Sequence, residues 1–168
     1  MNEKLPGGEL FAENASLQSY EPYLRQDPIP TLADLQLGSA PLKLSVPLEQ
    51  ISITIPYAVA LFNKKYYWET HEVLEDLWMD DYGPHRAFLQ GFIQGSAALY
   101  HVVGQNPSGY ERLSRLSREK LANYRGPQLG VDLGNCLNAF ALYDANIQRG
   151  EKFDHHHLPK ITFAGIAL

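Results

Sequence analysis

The sequence predicts an all-α protein, a compact array of about five helices with an antiparallel central helix pair. Apolar residues recur at helical spacing from residue 56 onward. Residues that start or end helices, such as Asn106-Pro107 and Gly150, divide this stretch into connected segments. Before it, prolines at 6, 22, 28, 30, 41 and 47 interrupt any long periodic pattern. We therefore predict an irregular, proline-rich N-terminal arm over residues 1–55, an all-α domain over 56–161 and a C-terminal tail over 162–168.

The bulk properties narrow the classes of function. At 168 residues, the chain fits one domain with one core. The net charge of −5 and the pI near 5.6 argue against nucleic acid as a partner. The longest uncharged stretch, residues 87–105, carries Gln90, Gln94 and His101 on one side, which favours a core helix over a membrane span. No membrane partner is expected. The single cysteine, Cys136, excludes an intramolecular disulfide and favours a cytoplasmic location.

The N-terminal arm carries apolar residues, among them Leu10, Phe11 and Tyr20, so it is not simply disordered by composition. We expect it to contact the helical body, a second copy of the chain or a protein partner. Residues 51–55 (Ile-Ser-Ile-Thr-Ile) alternate like a strand, but no partner strand is evident. Because an unpaired strand leaves its backbone hydrogen bonds unmade, extended coil is predicted there.

Five helices are expected, each bounded by residues that favour helix starts or ends. Pro56 suits the first turn of the first helix, Asn106-Pro107 starts the fourth, and Asp132 caps the fifth. The expected ranges are 57–63, 66–80, 85–103, 107–124 and 133–149. Short connections predict that consecutive helices run antiparallel.

The second predicted helix carries the densest cluster of reactive side chains. His71 and Glu75 are four residues apart and therefore lie on one face, at the boundary between core and surface. The tryptophans Trp68 and Trp78 flank this pair, and Glu72 lies further round the helix. Two more acids, Glu69 and Asp76, are expected to point to solvent.

The third predicted helix is apolar on nearly every side, which places it in the middle of the array. Its one polar stripe falls within about 80° of arc and consists of Arg86, Gln90, Gln94, Ala97 and His101. Buried amides need partners, since an unpaired one costs about 1–3 kcal/mol. We therefore predict a ligand pocket shared by the two helices, made of Trp68, His71, Glu72, Glu75, Trp78, Arg86, Gln90, Gln94 and His101.

These two segments carry a family resemblance. Leu61-Phe62-Asn63 followed by Tyr67-Trp68-Glu69, His71-Glu72, Leu74-Glu75 and Trp78 resembles domain-of-unknown-function family 309 (DUF309). Residues 88–94 (Phe-Leu-Gln-Gly-Phe-Ile-Gln), 97–101 (Ala-Ala-Leu-Tyr-His) and 158–161 (Leu-Pro-Lys-Ile) are also similar to it. The resemblance covers roughly residues 57–161. It implies a compact all-α fold and a His-x-x-x-Glu-x-x-Trp motif suspected of binding metal, here His71, Glu75 and Trp78.

Metal binding and acid–base chemistry are both compatible with the predicted pocket. His71, Glu75 and His101 can form a mixed nitrogen and oxygen ligand set for zinc, manganese or iron, with Glu72 as a fourth ligand or base. Without metal, Glu72 and Glu75 are the candidate catalytic carboxylates, because a partly dry, tryptophan-lined environment raises a carboxyl pKa. No nucleophile, phosphate-binding loop or dinucleotide motif is evident. The predicted function is binding of a metal ion or small polar ligand, with hydrolysis as one form of it.

Two structural interpretations stand beside this prediction. The same His, Glu and Gln side chains can form a buried hydrogen-bond layer that fixes helix register, in a non-enzymatic scaffold or interaction module. Whether the protein is an enzyme stays open at this point. Separately, His155-His156-His157 is expected to be a solvated turn.

Overall fold

The computed structural model describes the backbone of residues 47–80 and 83–165 and the side chains of residues 51–79 and 83–165. The predictions for the arm before residue 47 lie outside this range. Within it, the chain forms five α-helices and two short strands, which confirms the predicted all-α class. The helices are α1 (Pro47–Asn63), α2 (Tyr67–Asp80), α3 (Arg86–Val103), α4 (Pro107–Leu121) and α5 (Gly134–Gln148), and the strands are β1 (Val131–Asp132) and β2 (Thr162–Phe163).

Helix α1 begins at Pro47, ten residues before the predicted start at Tyr57, so the prediction of extended coil over residues 51–55 is wrong. Pro47 takes the first helical position, where the missing N–H costs nothing. Pro56 instead lies inside the helix. The apolar residues that face the core follow helical spacing across it, with Ile55, Ala58 and Phe62 fully buried. Tertiary burial of this face outweighs the strand-like alternation.

Helices α2 and α3 form the predicted antiparallel pair. At one end, the guanidinium of Arg86 lies 3.8 Å from the centroid of the Trp78 ring. At the other end, the rings of Trp68 and Tyr100 are 5.5 Å apart. The end of α2 thus contacts the start of α3, and the start of α2 contacts the end of α3. The two helices therefore run in opposite directions.

Helix α4 packs antiparallel against the other side of α3, and glycines allow the close approach. A Cβ atom on Gly91 would lie 2.6 Å from Cγ of Leu121, and one on Gly95 would lie 3.1 Å from Oγ of Ser117. The hydroxyl of Ser117 donates to the carbonyl of Gly91 across this interface (2.7 Å). Because α3 is enclosed, every residue from 91 to 103 is buried, and the helix is the centre of the core.

Helix α5 is fixed to α4 by a polar network around one buried tyrosine. The hydroxyl of Tyr110 donates to the carbonyl of Phe140 (2.7 Å) and to Oδ1 of Asp144 (2.8 Å). Arg118 donates to the other oxygen of Asp144 (2.6 Å). Cys136 packs in the core as predicted, and its burial raises the thiol pKa to about 12.

The C-terminal segment is tied back to the helical body by two side-chain amides. Asn63 donates to the carbonyl of Ile161 and accepts from its N–H (2.9 and 2.8 Å). Gln105 makes the same pair of bonds with Phe153, each 2.9 Å long. Beyond Ile161, β2 pairs antiparallel with β1. No helix in the described part of the chain is long and apolar enough to cross a bilayer.

Candidate functional site

The predicted pair His71 and Glu75 forms on α2. Nε2 of His71 lies 3.3 Å from Oε2 of Glu75, and the side chains are 3% and 19% exposed. The i,i+4 spacing brings them together on one helical face. The pair therefore has a buried end, the imidazole, and a solvent-facing end, the carboxylate.

Burial determines the charge state of the imidazole. It lowers the pKa of His71 to about 4, although a hydrogen bond to the Trp68 backbone acts in the opposite direction. At neutral pH the ring is therefore uncharged and carries a single N–H. The Trp68 carbonyl and the Glu75 carboxylate are two acceptors beside a ring that can donate to only one of them.

Aromatic side chains enclose the buried end of the pair. The ring of Trp68 lies 5.2 Å from the His71 ring and 5.5 Å from the Tyr100 ring. Tyr100 comes from α3 and was not among the predicted site residues. Its position follows from the antiparallel register of α2 and α3, which the sequence does not specify residue by residue.

The remaining acids of α2 do not share one environment. Glu72 and Asp76 are exposed, and Asp76 was predicted to be so. Glu69 is only 7% exposed, so its predicted solvent position is wrong. Burial and then the charge of Glu69 raise the pKa of Tyr57, which identifies α1 as the helix that Glu69 faces. The sequence prediction missed the burial of Glu69 because it assumed a single buried face on α2, whereas α2 packs against both α1 and α3.

Trp78 and Arg86 lie at the turn between α2 and α3. Nη1 of Arg86 donates to the carbonyl of Trp78 (2.6 Å), and its guanidinium lies over the indole. The cation thereby satisfies a carbonyl at the C-terminal end of α2 and complements the helix dipole. These contacts give both residues a structural role at one end of the predicted pocket.

The contacts of neighbouring residues show which way the polar stripe of α3 faces. Around α3, Arg86 faces α2, Gly91 faces α4, and Phe92 meets Phe62 of α1 at a ring distance of 6.0 Å. Gln90, Gln94 and His101 fall between the α2-facing and α4-facing directions, opposite Phe92. On α2, His71 and Glu75 lie about 120–160° round the helix from Glu69, which faces α1.

Within the α3 stripe, the three polar residues differ in burial and contacts. Gln90 is partly exposed, whereas Gln94 is 2% exposed and its Oε1 has no hydrogen-bond partner in the described ranges. His101 is fully buried and faces the start of α4, since a Cβ on Gly109 would lie 2.5 Å from its Nδ1. Its pKa is lowered to about 4 by burial. The requirement for glycine at position 109 was also absent from the sequence prediction.

The three predicted metal ligands do not form one ligand group. Over residues 51–79 and 83–165, no set of three or more His, Cys, Asp or Glu side chains lies close enough together to hold a metal ion. His71 and Glu75 meet, but His101 packs against α4. The histidines at 155–157 form an exposed or partly exposed turn, with Nδ1 of His157 3.1 Å from Asp154.

Comparisons with known proteins extend the family resemblance. A family model described as "Domain of unknown function (DUF309)" matches residues 55–113. The "Uncharacterized protein YpuF" of Bacillus subtilis (strain 168) is 40% identical over 86 residues, which are 49% of this chain and 49% of that protein. The chain thus spans about half the length of this curated relative. No solved structure gives a significant match. The segment from residue 55 to residue 113, which includes the whole His71–Trp78 motif, is therefore similar to the DUF309 family.

Proposed function

We propose that the His71–Glu75 pair binds a small polar ligand that donates hydrogen bonds, at the side of the α2–α3 pair that faces away from α1. The observation that carries the proposal is the contact of 3.3 Å between a nearly buried imidazole and a carboxylate that reaches solvent. A ligand can approach the carboxylate from solvent, while the imidazole fixes its orientation from behind. Trp68 supplies an apolar wall beside the imidazole.

The hydrogen-bond inventory of the pair supports a donor ligand. The neutral imidazole has one N–H, and the Trp68 backbone and Glu75 both accept hydrogen. Glu75 is the group of the pair that solvent reaches, and a carboxylate has several lone pairs that accept hydrogen. An incoming N–H or O–H group then gains a charge-assisted hydrogen bond. A cationic donor such as an amine also gains the attraction of the Glu75 charge.

A metal centre is a less suitable use of these residues. The N···O separation of 3.3 Å matches the edge of a tetrahedral zinc site, which is about 3.3 Å for bonds of about 2.0–2.1 Å. However, a catalytic zinc site has about three protein ligands, and the described residues add no third to this pair. Zinc, manganese or iron would therefore be held by two ligands only.

A hydrolytic form of the same function would use Glu75 as a general base toward a bound water. Its carboxylate is the group of the pair that water reaches, and His71 would hold its orientation. Glu72 is the weaker candidate for the general base, because its carboxylate is exposed to solvent and is not in an apolar environment.

The rival function is a scaffold in which these side chains only fix helix register. That role requires a paired network, because each unpaired buried group costs about 1–3 kcal/mol. Oε1 of Gln94 and Nε1 of Trp78 are buried and have no hydrogen-bond partner among the described side chains and backbone. Incomplete pairing along α2 and α3 favours a binding role over a purely structural one.

The test is a thermal-shift panel on the full chain without a histidine tag. The probes are methylamine, guanidinium, imidazole, urea, acetate, Zn²⁺, Mn²⁺ and Fe²⁺, applied to wild type, Glu75→Gln, His71→Phe and the control Glu72→Gln. A ligand at ten times its Kd stabilises the folded state by about 1.4 kcal/mol. We expect amine or guanidinium probes to stabilise wild type and Glu72→Gln, and to lose this effect in the other two variants.

Other outcomes contradict the proposal. A shift of equal size in all four proteins would mean that the probe binds elsewhere. Stoichiometric retention of one of the metals, lost in Glu75→Gln, would replace the proposal by a metal centre. If no probe acts and Glu75→Gln alone loses more than about 2 kcal/mol of stability, the scaffold role is correct.

A further inference from the structure

A surface pocket of about 120 Å³ lies where the end of α4 meets the start of α5, on a different part of the molecule from the His71–Glu75 pair. Its apolar lining consists of Phe88, Leu121, Tyr124, Leu133 and Leu137. Phe88, Leu121 and Leu133 are buried, whereas Tyr124 and Leu137 are partly exposed. An apolar cavity of about 150 Å³ holds benzene, so this smaller pocket, which opens to solvent, has room for a short alkyl group or for part of one aromatic ring.

Its aromatic wall is held rigidly. The rings of Phe88 and Tyr124 are 5.7 Å apart in an edge-to-face arrangement. The Tyr124 hydroxyl donates to the carbonyl of Pro84 (3.2 Å), which fixes the ring at the rim. A bound ring would therefore meet an existing surface, with little side-chain entropy to lose.

One carboxylate lies at the solvent side of the pocket. Asp132 is exposed, and its Oδ1 accepts the N–H of Gly134 (2.8 Å) at the first position of α5. That bond occupies one oxygen and satisfies a donor at the helix start. The carboxylate keeps further lone pairs that can accept hydrogen from a ligand.

We propose that this pocket binds an aromatic or apolar primary amine, with the apolar group against Phe88 and Tyr124 and the ammonium at Asp132. The dimensions of the pocket limit the apolar group to about one ring, the apolar lining contacts that ring, and the Asp132 carboxylate supplies the charge opposite to that of the ammonium. The first turn of α5 favours anions through its dipole, but Asp132 already lies at that end. The Asp132 carboxylate would repel a ligand that itself carries a carboxylate.

The test compares three ligands of one shape and different charge on the full chain. Benzylamine, benzyl alcohol and benzoate are titrated to millimolar concentration while backbone amide NMR signals are followed. We expect benzylamine to shift the signals of Gly126, Asp132, Gly134 and Leu137 with an affinity at least fivefold above that of benzyl alcohol. Benzoate should bind most weakly.

Two variants and a control separate charge from shape. Asp132→Asn keeps an oxygen that accepts from Gly134, so the fold is retained while the charge is lost, and the affinity for benzylamine should fall about fivefold to tenfold. Leu137→Trp fills the pocket and should abolish binding of benzylamine and benzyl alcohol. Asp154→Asn, at an exposed carboxylate that caps another turn, should change nothing. Equal affinities for the three ligands, or tighter binding of benzoate, would overturn the proposal, as would an unchanged affinity in Asp132→Asn.

Discussion

His71 is the residue whose chemistry the fold changes most. Its ordinary pKa of 6.5 falls to about 4, because burial penalises the charged ring. The sequence predicted its pairing with Glu75, since the i,i+4 spacing is a local property of any helix. It could not predict that the ring is neutral at pH 7, because burial depends on the packing of α3 against α2.

The pKa shift makes stability depend on pH in a defined direction. Between pH 6.5 and 4 the unfolded chain binds a proton at His71 that the folded chain does not, so stability is complete above pH 6.5 and falls as the pH drops toward 4. We expect the free energy of unfolding of wild type, relative to His71→Phe, to fall by about 2–3 kcal/mol from pH 7 to pH 4.5. Urea titrations at the two pH values measure it. His101 titrates in both proteins and serves as the internal control; a difference that does not vary with pH would contradict the assignment.

Glu69 marks the limit of residue-by-residue prediction. A helical wheel with one buried face assigned it to solvent, yet it is buried toward α1. The error has a physical cause, because α1 begins ten residues earlier than the sequence indicated and α2 packs against two helices. The wheel was correct for Asp76, which lies away from both neighbours.

Among the secondary-structure elements, a helix start that is marked by capping residues was predicted correctly. A helix start that depends on contacts with distant parts of the chain was not. Asn106 accepts the N–H of Gly109 and is followed by proline, so the start of α4 is encoded within four residues. The start of α1 depends instead on burial of Ile55 and Phe62 against the rest of the fold. The pairing of β1 with β2 had no sequence signal, since each strand has two residues.

The two hydrogen bonds between the side-chain amide of Asn63 in α1 and the backbone of Ile161 can be tested by mutation. Asn63→Ala removes both bonds to Ile161, whereas Asn63→Asp keeps the oxygen that accepts from the Ile161 N–H. We expect a loss of about 1–3 kcal/mol for alanine and a smaller loss for aspartate. Urea unfolding and hydrogen exchange of the Ile161 amide measure both. Asn138→Ala, at an exposed amide on α5, is the control; protection of Ile161 that survives in Asn63→Ala would show that these two bonds are not needed.

At the scale of the whole molecule, the family match and the folding unit differ in extent. The match ends at residue 113, inside α4. Yet Tyr110, which is fully buried, bonds to Phe140 and Asp144 of α5, and its ring packs 5.2 Å from Phe153. The matched segment therefore buries its own side chains against residues beyond the match.

A chain ending at Arg125 tests this dependence. It retains the whole matched segment and α4 but lacks α5 and the C-terminal segment. We expect it to lose cooperative unfolding, because the apolar surface around Tyr110 and the Gly95 side of α3 becomes exposed. Thermal unfolding followed by circular dichroism is the measurement, with a chain ending at Gly165 as the control. Cooperative unfolding of the shorter chain at the same midpoint would contradict the prediction.

The whole site depends on His71 being a neutral, buried imidazole paired with a solvent-facing Glu75. The most direct measurement is a pH titration of the His71 ring nitrogens by NMR, in wild type, Glu75→Gln and Glu72→Gln. We expect a neutral ring at pH 7 with a pKa near 4, and ring nitrogen shifts that change in Glu75→Gln but not in Glu72→Gln. A ring that titrates near 6.5, or one that does not respond to Glu75→Gln, would contradict it.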